Sequence, residues 1–141
     1  MSGYLLDTNV ISELNRLRPE PKVISWLQAT SEELLYLSVL TIGEIRKGID
    51  SLPQSNKRTL LESWLGNDLL LRFSGRILEV SLEIAERWGS ISAQAKMAGA
   101  PDAVIGGLMA ATAMHHNLTL VTRNTRDVRF AGLNTLNPWE L

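Results

Sequence analysis

Three acidic side chains stand where the apolar pattern would bring them to one rim. Asp7 closes the apolar run "YLL" near the start of the chain. Glu44 lies in "TIGEIRKGI", directly after the run "LLYLSVL". Asp127, with Asn124 before it, follows the run "LTLV" in the turn "TRNTRD". Carboxylates brought close together repel unless a cation joins them. Their hard oxygens suit Mg²⁺ or Mn²⁺, ions that keep water and bind phosphate oxygens. Such an ion can activate a water and stabilise charge on a leaving oxygen.

Each of these residues also has a local reading. Asp7 before "TNVISEL" has the form of a helix N-cap, although Thr8 or Asn9 would cap equally well and leave Asp7 to the rim. On a helix, Thr41 and Gly48 share the face of Glu44, opposite Ile42, Ile45 and Ile49. Small neighbours on both sides set Glu44 in an open groove, whereas most helix glutamates are simply solvated. Asn124 and Asp127 are common turn residues. Arg46 and Lys47 flank Glu44, and Arg123 and Arg126 flank the turn; these four are the candidate phosphate contacts, with Thr8 and Asn9 beside Asp7. His115 and His116 suit a helix C-terminus electrostatically and receive no catalytic role. Neither a Walker-type glycine loop nor a nucleophilic serine setting is found.

The elements that must position the acids follow from periodicity. Strands are expected at Tyr4 to Asp7, from Leu34 to near Val39, at "RILEVS", and at Leu118 to Asn124, with a short edge strand in "LNTLNPWEL". Helices are expected over Asn9 to Arg16, Pro21 to Ala29, "TIGEIRKGIDSL", Asn56 to Phe73 with an interruption at Gly66-Asn67, "LEIAERWGSISAQAKMAG", and Pro101 to Asn117. Alternating strands and helices imply an α/β fold, a parallel sheet of four to five strands flanked by helices. Function in such sheets sits beyond the carboxyl ends of the strands, where Asp7 and the 122–127 turn would lie.

Bulk properties fit. The chain has 141 residues and 45% hydrophobic content, enough for one domain over 1–141 with a real core. The net charge of −1 argues against wrapping a nucleic acid by charge alone and leaves room for a local basic rim. The absence of cysteine excludes thiol catalysis, disulfides and thiolate metal sites. No apolar run reaches transmembrane length, so a cytoplasmic protein without membrane contact is expected.

"YLLDTNVISEL", "LSVLTIGEIRKGI", "GLMAATAMHHNLTLVTRNTRD" and "LNPWEL" together resemble the PIN-domain proteins, most nearly the VapC/FitB-type toxins of bacterial toxin–antitoxin pairs. The resemblance runs nearly from end to end. It implies a Mg²⁺- or Mn²⁺-dependent endoribonuclease toxin, commonly a homodimer, held inactive by a cognate VapB-like antitoxin and meeting operator DNA only through that partner. The expected substrate is a structured RNA, a tRNA or rRNA loop. Asp7 and Glu44 match the family's first acids. The family's next acid falls on Gly106 in "PDAVIGGLMAATA", with Asp102 four residues earlier. If one helix carries both positions, Asp102 stands about one turn away and leans toward the metal, or it merely stabilises the helix N-terminus. The last acid position falls on Asn124, with Asp127 three residues on. Asp7, Glu44 and Asp102 are thus the expected metal ligands, with Asp127 a further catalytic candidate. Trp26, Leu27 and the early helices are expected to receive apolar anchors of the antitoxin.

The glycine at 106 keeps an alternative open: a degenerate PIN domain that binds RNA or antitoxin without cutting. A haloacid-dehalogenase-like phosphatase would need an aspartate where Asn9 stands. A phospho-receiver would need paired acids after the first strand, which "LLDTN" lacks.

Overall fold

The computed structural model describes residues 2–101 and 103–141. In chain order the elements are β1 (Tyr4–Leu6), α1 (Thr8–Glu13), α2 (Pro21–Ala29), β2 (Leu35–Ser38), α3 (Val39–Asp50), α4 (Asn56–Ser63), a π-helical turn (Trp64–Leu69), α5 (Leu70–Arg72), β3 (Ile77–Leu78), α6 (Leu82–Met97), α7 (Val104–His115), β4 (Thr119–Val121) and β5 (Thr135–Leu136). Short 3₁₀ turns cover Glu32–Leu34, Thr125–Val128 and Pro138–Glu140.

β1 is the centre of a five-stranded sheet in the order β3-β2-β1-β4-β5, with every pairing parallel. The expected α/β class and strand number are met. Successive residues of the central strands point to opposite faces. Leu6, Leu37 and Val121 enter one core with Ile11, Val23, Leu65 and Phe73, under α1 to α5. Leu5 and Leu120 enter the other with Met109 and Ala113 of α7. Burying a side chain such as Leu5 or Phe73 contributes about 1.5–3 kcal/mol. Alanines 110, 111 and 113, all fully buried, let α7 lie close to its neighbours. The chain leaves β1 for β2 on one side, while β4 lies on the other. The crevice beyond the carboxyl end of β1 is therefore the switch point of the sheet.

Close backbone approach fixes the start of the sheet. A Cβ at Gly3 would stand 2.6 Å from the Leu34 carbonyl oxygen, so no larger residue fits there without movement. Asn117, at φ 55°, ends α7 in the left-handed conformation, and the Leu118 N–H then bonds back to the Ala113 oxygen at 2.8 Å. That turn delivers the chain into β4.

Several boundaries differ from the sequence expectation. β2 ends at Ser38 because its hydroxyl accepts from the Leu40 N–H at 3.0 Å, which starts α3 at Val39. α1 stops at Glu13, after which the chain to Arg16 closes in tight turns. α7 begins at Val104 after Ala103, which has no capping side chain, so Gly106 lies in its first turn.

The interruption at Gly66-Asn67 is present as a widened turn, not a break. Leu61, Leu65, Leu69 and Phe73 pack into the core at a strict four-residue spacing. On an α-helix that spacing drifts by about 40° per step. The wider π turn corrects the drift and keeps the stripe on the core.

Arg72 and Arg76 both reach Glu32, with N···O distances of 3.0 Å in each case, and both stand over the Phe73 ring. The Arg72 hydrogen bonds, opposed by slight burial and aided by Arg76, hold the Glu32 carboxyl below the usual glutamate range. A lowered folded-state pKa stabilises above the unfolded value, and the gain disappears as pH falls through the folded one. The melting temperature of Glu32→Gln should therefore lie below the parent's above about pH 5, with the gap closing below about pH 4. A gap that widens in acid would contradict this assignment.

Gly89 sits on the exposed side of α6, where an added Cβ meets nothing within 4 Å. Gly89→Ala should raise stability by about 1 kcal/mol, since glycine costs that much in a helix interior. An unchanged or lower thermal midpoint would count against it. Among the described residues, no helix is long and apolar enough to cross a membrane.

Candidate active site at the strand ends

Asp7 is the first residue beyond β1. Its N–H still donates to the Val121 oxygen of β4 at 2.9 Å, so its backbone is part of the sheet. Its Oδ1 accepts from the Thr8 N–H at 2.8 Å and caps α1. Its Oδ2 accepts from the Thr122 hydroxyl at 2.8 Å and, more weakly, from the Asn9 amide at 3.5 Å. The sequence set capping and rim duty against each other, with Thr8 or Asn9 as substitute caps. The structure corrects this: Asp7 is the cap, and its second oxygen still reaches the rim.

Thr122, fully buried, lies in the turn the sequence placed at the rim, but its role toward Asp7 was not anticipated. The register of β1 against β4 pairs Leu6 with Val121, so Thr122 follows β4 as Asp7 follows β1. Its oxygen also accepts from Asn9 Nδ2 at 3.2 Å and from the Asn124 N–H at 3.1 Å. Asn9 Oδ1 in turn accepts from the Arg123 N–H at 3.3 Å. The only sequence signal was a hydroxyl residue ending a second short strand.

Glu44 is joined to this network through Thr8, whose hydroxyl donates to Oε1 at 2.5 Å. Thr8 and the buried Thr41 hydroxyl are 3.2 Å apart. With the Thr8 hydrogen committed to Glu44, Thr41 donates to Thr8. The two acids thus flank one threonine, which bonds Asp7 through its N–H and Glu44 through its hydroxyl.

A cleft of about 800 Å³ opens beside Asp7, bordered by Gly106, Asn124, Arg126, Asp127 and Arg129. Asp127 is exposed in the 3₁₀ turn Thr125–Val128. Arg129 was not anticipated. Among the described residues, a Cβ at Gly106 would meet only Val128 Cγ1, at 3.7 Å. Asp102 lies outside the described residues. Arg123 is exposed, with its guanidinium over the Trp139 ring at 5.3 Å. Lys47 is exposed one turn beyond Glu44. Arg46 is paired with Asp50 at 3.6 Å, which Arg58 also reaches, and it does not line the cleft. His115 lies in the last turn of α7, the opposite end from Gly106. Burial and neighbouring His115 push His116 below the ordinary histidine range. Leu27 is buried, whereas Trp26 is half-buried and stands edge-on to Tyr4 at 5.0 Å, so of the two expected receivers of antitoxin anchors Trp26 keeps an accessible part.

The donor set is hard oxygen: two carboxylates with threonine hydroxyls around them. Among the described residues, no three of His, Cys, Asp and Glu gather closely enough to share an ion. Such a set fits a hydrated hard cation, which Mg²⁺ is, since it retains several waters and needs only one or two carboxylates plus substrate phosphate.

A parallel five-stranded α/β sheet with this acid rim has a family. The profile of the PIN domain matches residues 4–133, and the chain belongs to that family. It is 38% identical over 136 residues to a VapC ribonuclease of Sinorhizobium fredii, covering 96% of this chain and 97% of that one. It is 39% identical over 135 residues to toxin FitB of Neisseria gonorrhoeae, covering 96% and 97%. The structure of FitAB bound to a DNA fragment superposes with a TM-score of 0.93 at 38% identity, covering 98% of this chain and 96% of that chain. The expected likeness to VapC/FitB toxins is met.

Proposed function

We propose that this chain is a metal-dependent endoribonuclease toxin of the cytoplasm that hydrolyses a phosphodiester in an RNA loop and is neutralised by a VapB-like antitoxin. The observation that carries the reading is the pair Asp7 and Glu44, tied through Thr8 at the sheet's switch point. PIN-domain nucleases are generally dependent on a divalent metal, and similarity to a VapC ribonuclease supports nuclease chemistry here.

Asp7 and Glu44 would hold the cation, Mg²⁺ or Mn²⁺. When bound, such an ion lowers the pKa of a water and offsets charge on the phosphoryl oxygens. Thr122, Asn9 and the Thr8 N–H fix the Asp7 carboxylate. The Thr8 hydroxyl, itself held by Thr41, fixes Glu44. Arg126 and Arg129 on the cleft wall, with Arg123 and Lys47 farther out, meet the RNA backbone. Asn124 and Asp127 face the same cleft. A rim of a few cations gives modest, salt-sensitive binding, so selectivity must come from the shape of a loop. Exposed Met97, Val104 and Ile105 give the α6/α7 end an apolar surface suited to a second copy, and a homodimer over residues 1–141 is the proposed assembly. Operator DNA would be met only through the antitoxin, in keeping with the likeness to DNA-bound FitAB.

A second reading is favoured by the glycine at position 106, where the family carries an acid: a PIN domain that binds RNA or antitoxin without cutting. Incubation with total RNA separates the two. Cleavage in Mg²⁺ or Mn²⁺ that stops with EDTA supports the enzyme. Intact RNA that still binds the protein supports the alternative. Co-expression with the adjacent gene should relieve growth arrest and yield a co-purified partner.

A further inference from the structure

Glu44 also borders a second groove, of about 210 Å³, that the acid chemistry leaves unused. Its walls include Ile45 and Ile49 of α3 and Leu61 and Trp64 on the facing helix, with Ser12 and Asn15 at its lip. Gly48 keeps the α3 side open, since a Cβ there would meet nothing within 4 Å. Trp64 is half-buried and begins the π-helical turn, a feature that recurs at functional sites. The groove and the larger cleft flank one ridge. Asp7 borders the cleft, Thr8 and Glu44 border the groove, and Thr8 is bonded to both acids. A strand with its phosphate over that ridge would lay adjacent nucleotides into the two depressions.

We propose that the Trp64 groove is a nucleobase subsite, which takes an unpaired base next to the phosphodiester held at Asp7 and Glu44. This rests on the RNA-cleaving reading of the acid rim. A base has an apolar face and a hydrogen-bonding edge. An aromatic wall with a polar lip matches both, and stacking on an aromatic side chain tolerates any base. An aliphatic side chain from a protein partner would use the wall alone and leave Ser12 and Asn15 without a counterpart.

The test is fluorescence anisotropy of a labelled single-stranded RNA, in the full-length chain carrying Asp7→Asn to suppress cutting. A matched RNA with abasic sites is the comparison. Trp64→Leu should weaken binding of the base-bearing RNA about tenfold, as loss of one stacked base does, whereas Trp64→Phe keeps most of it. Gly48→Leu, which fills the groove from a helix that favours leucine over glycine, should weaken binding similarly even if Trp64→Leu fails to fold. Abasic RNA should bind all variants alike. If the parent binds RNA and every variant matches it, the base subsite is overturned while the nuclease reading stands. If neither the Asp7→Asn chain nor the chain with Asp7 intact binds RNA in Mg²⁺, both fall. Loss of a co-purified protein partner with RNA binding unchanged would assign the groove to protein and overturn the subsite.

Discussion

Asp7→Asn is expected to lower RNA cleavage by at least about a hundredfold while leaving the fold in place, since ligand-shell changes alone cost that much in metal sites. The asparagine keeps a side-chain oxygen to accept from the Thr8 N–H, so the α1 cap persists. Its amide nitrogen takes the place of Oδ2, and because the Thr122 oxygen already accepts from Asn9 and the Asn124 N–H, the Thr122 hydroxyl loses its acceptor there. What is lost is the charge proposed to hold a cation. The unpaired Thr122 hydroxyl should lower stability by about 1–3 kcal/mol, which leaves the chain folded. Mn²⁺ titration calorimetry should show weaker binding in parallel with the lost activity. Equal Mn²⁺ affinity in parent and variant would remove Asp7 from the metal site.

Gly106→Asp should have the opposite effect. The position lies on the cleft wall with Asp7 and Asp127, and among the described residues its new Cβ would meet only Val128 Cγ1 at an ordinary 3.7 Å. An acid in the first turn of α7 also suits the helix N-terminus. A third carboxylate should raise Mn²⁺ affinity about tenfold and increase cleavage strongly, since each added acid ligand offsets ion dehydration. Without metal the same acid adds repulsion, so the apo variant should melt lower and gain more on Mn²⁺ addition. Asp102→Ala is the partner experiment. Lost activity there would mean Asp102 already supplies the acid; little effect would leave the place vacant. If neither substitution alters cleavage or metal affinity, both accounts of this wall fail.

The legible parts were those set by local pattern. The run "YLLDTN" announces a strand, an acid at its end and a helix, and Asp7 stands there. The place of Glu44 follows from helical spacing after β2. Thr122 was not legible, because its role depends on the register between β1 and β4, which no local window contains. Asp7 was legible but divided wrongly between two duties, since a carboxylate's two oxygens can serve both. Arg46 was grouped with Glu44 by nearness in sequence, yet two residues along a helix turn a side chain to another face, and there it meets Asp50. The start of α7 was placed at Pro101 by composition, three residues before Val104, because alanine and proline do not mark a cap. Gly66-Asn67 located the irregularity in the long helix, but its π form answers the four-residue stripe packed on the sheet.

Sequencing the 5′ ends of RNA from bacteria after a brief pulse of expression, beside Asp7→Asn, is the most direct test of the reading as an RNA-cleaving toxin. One dominant new end within a loop of tRNA or rRNA is expected, absent from the Asp7→Asn culture. Identical end profiles in the two cultures, or the same dominant end in both, would contradict it.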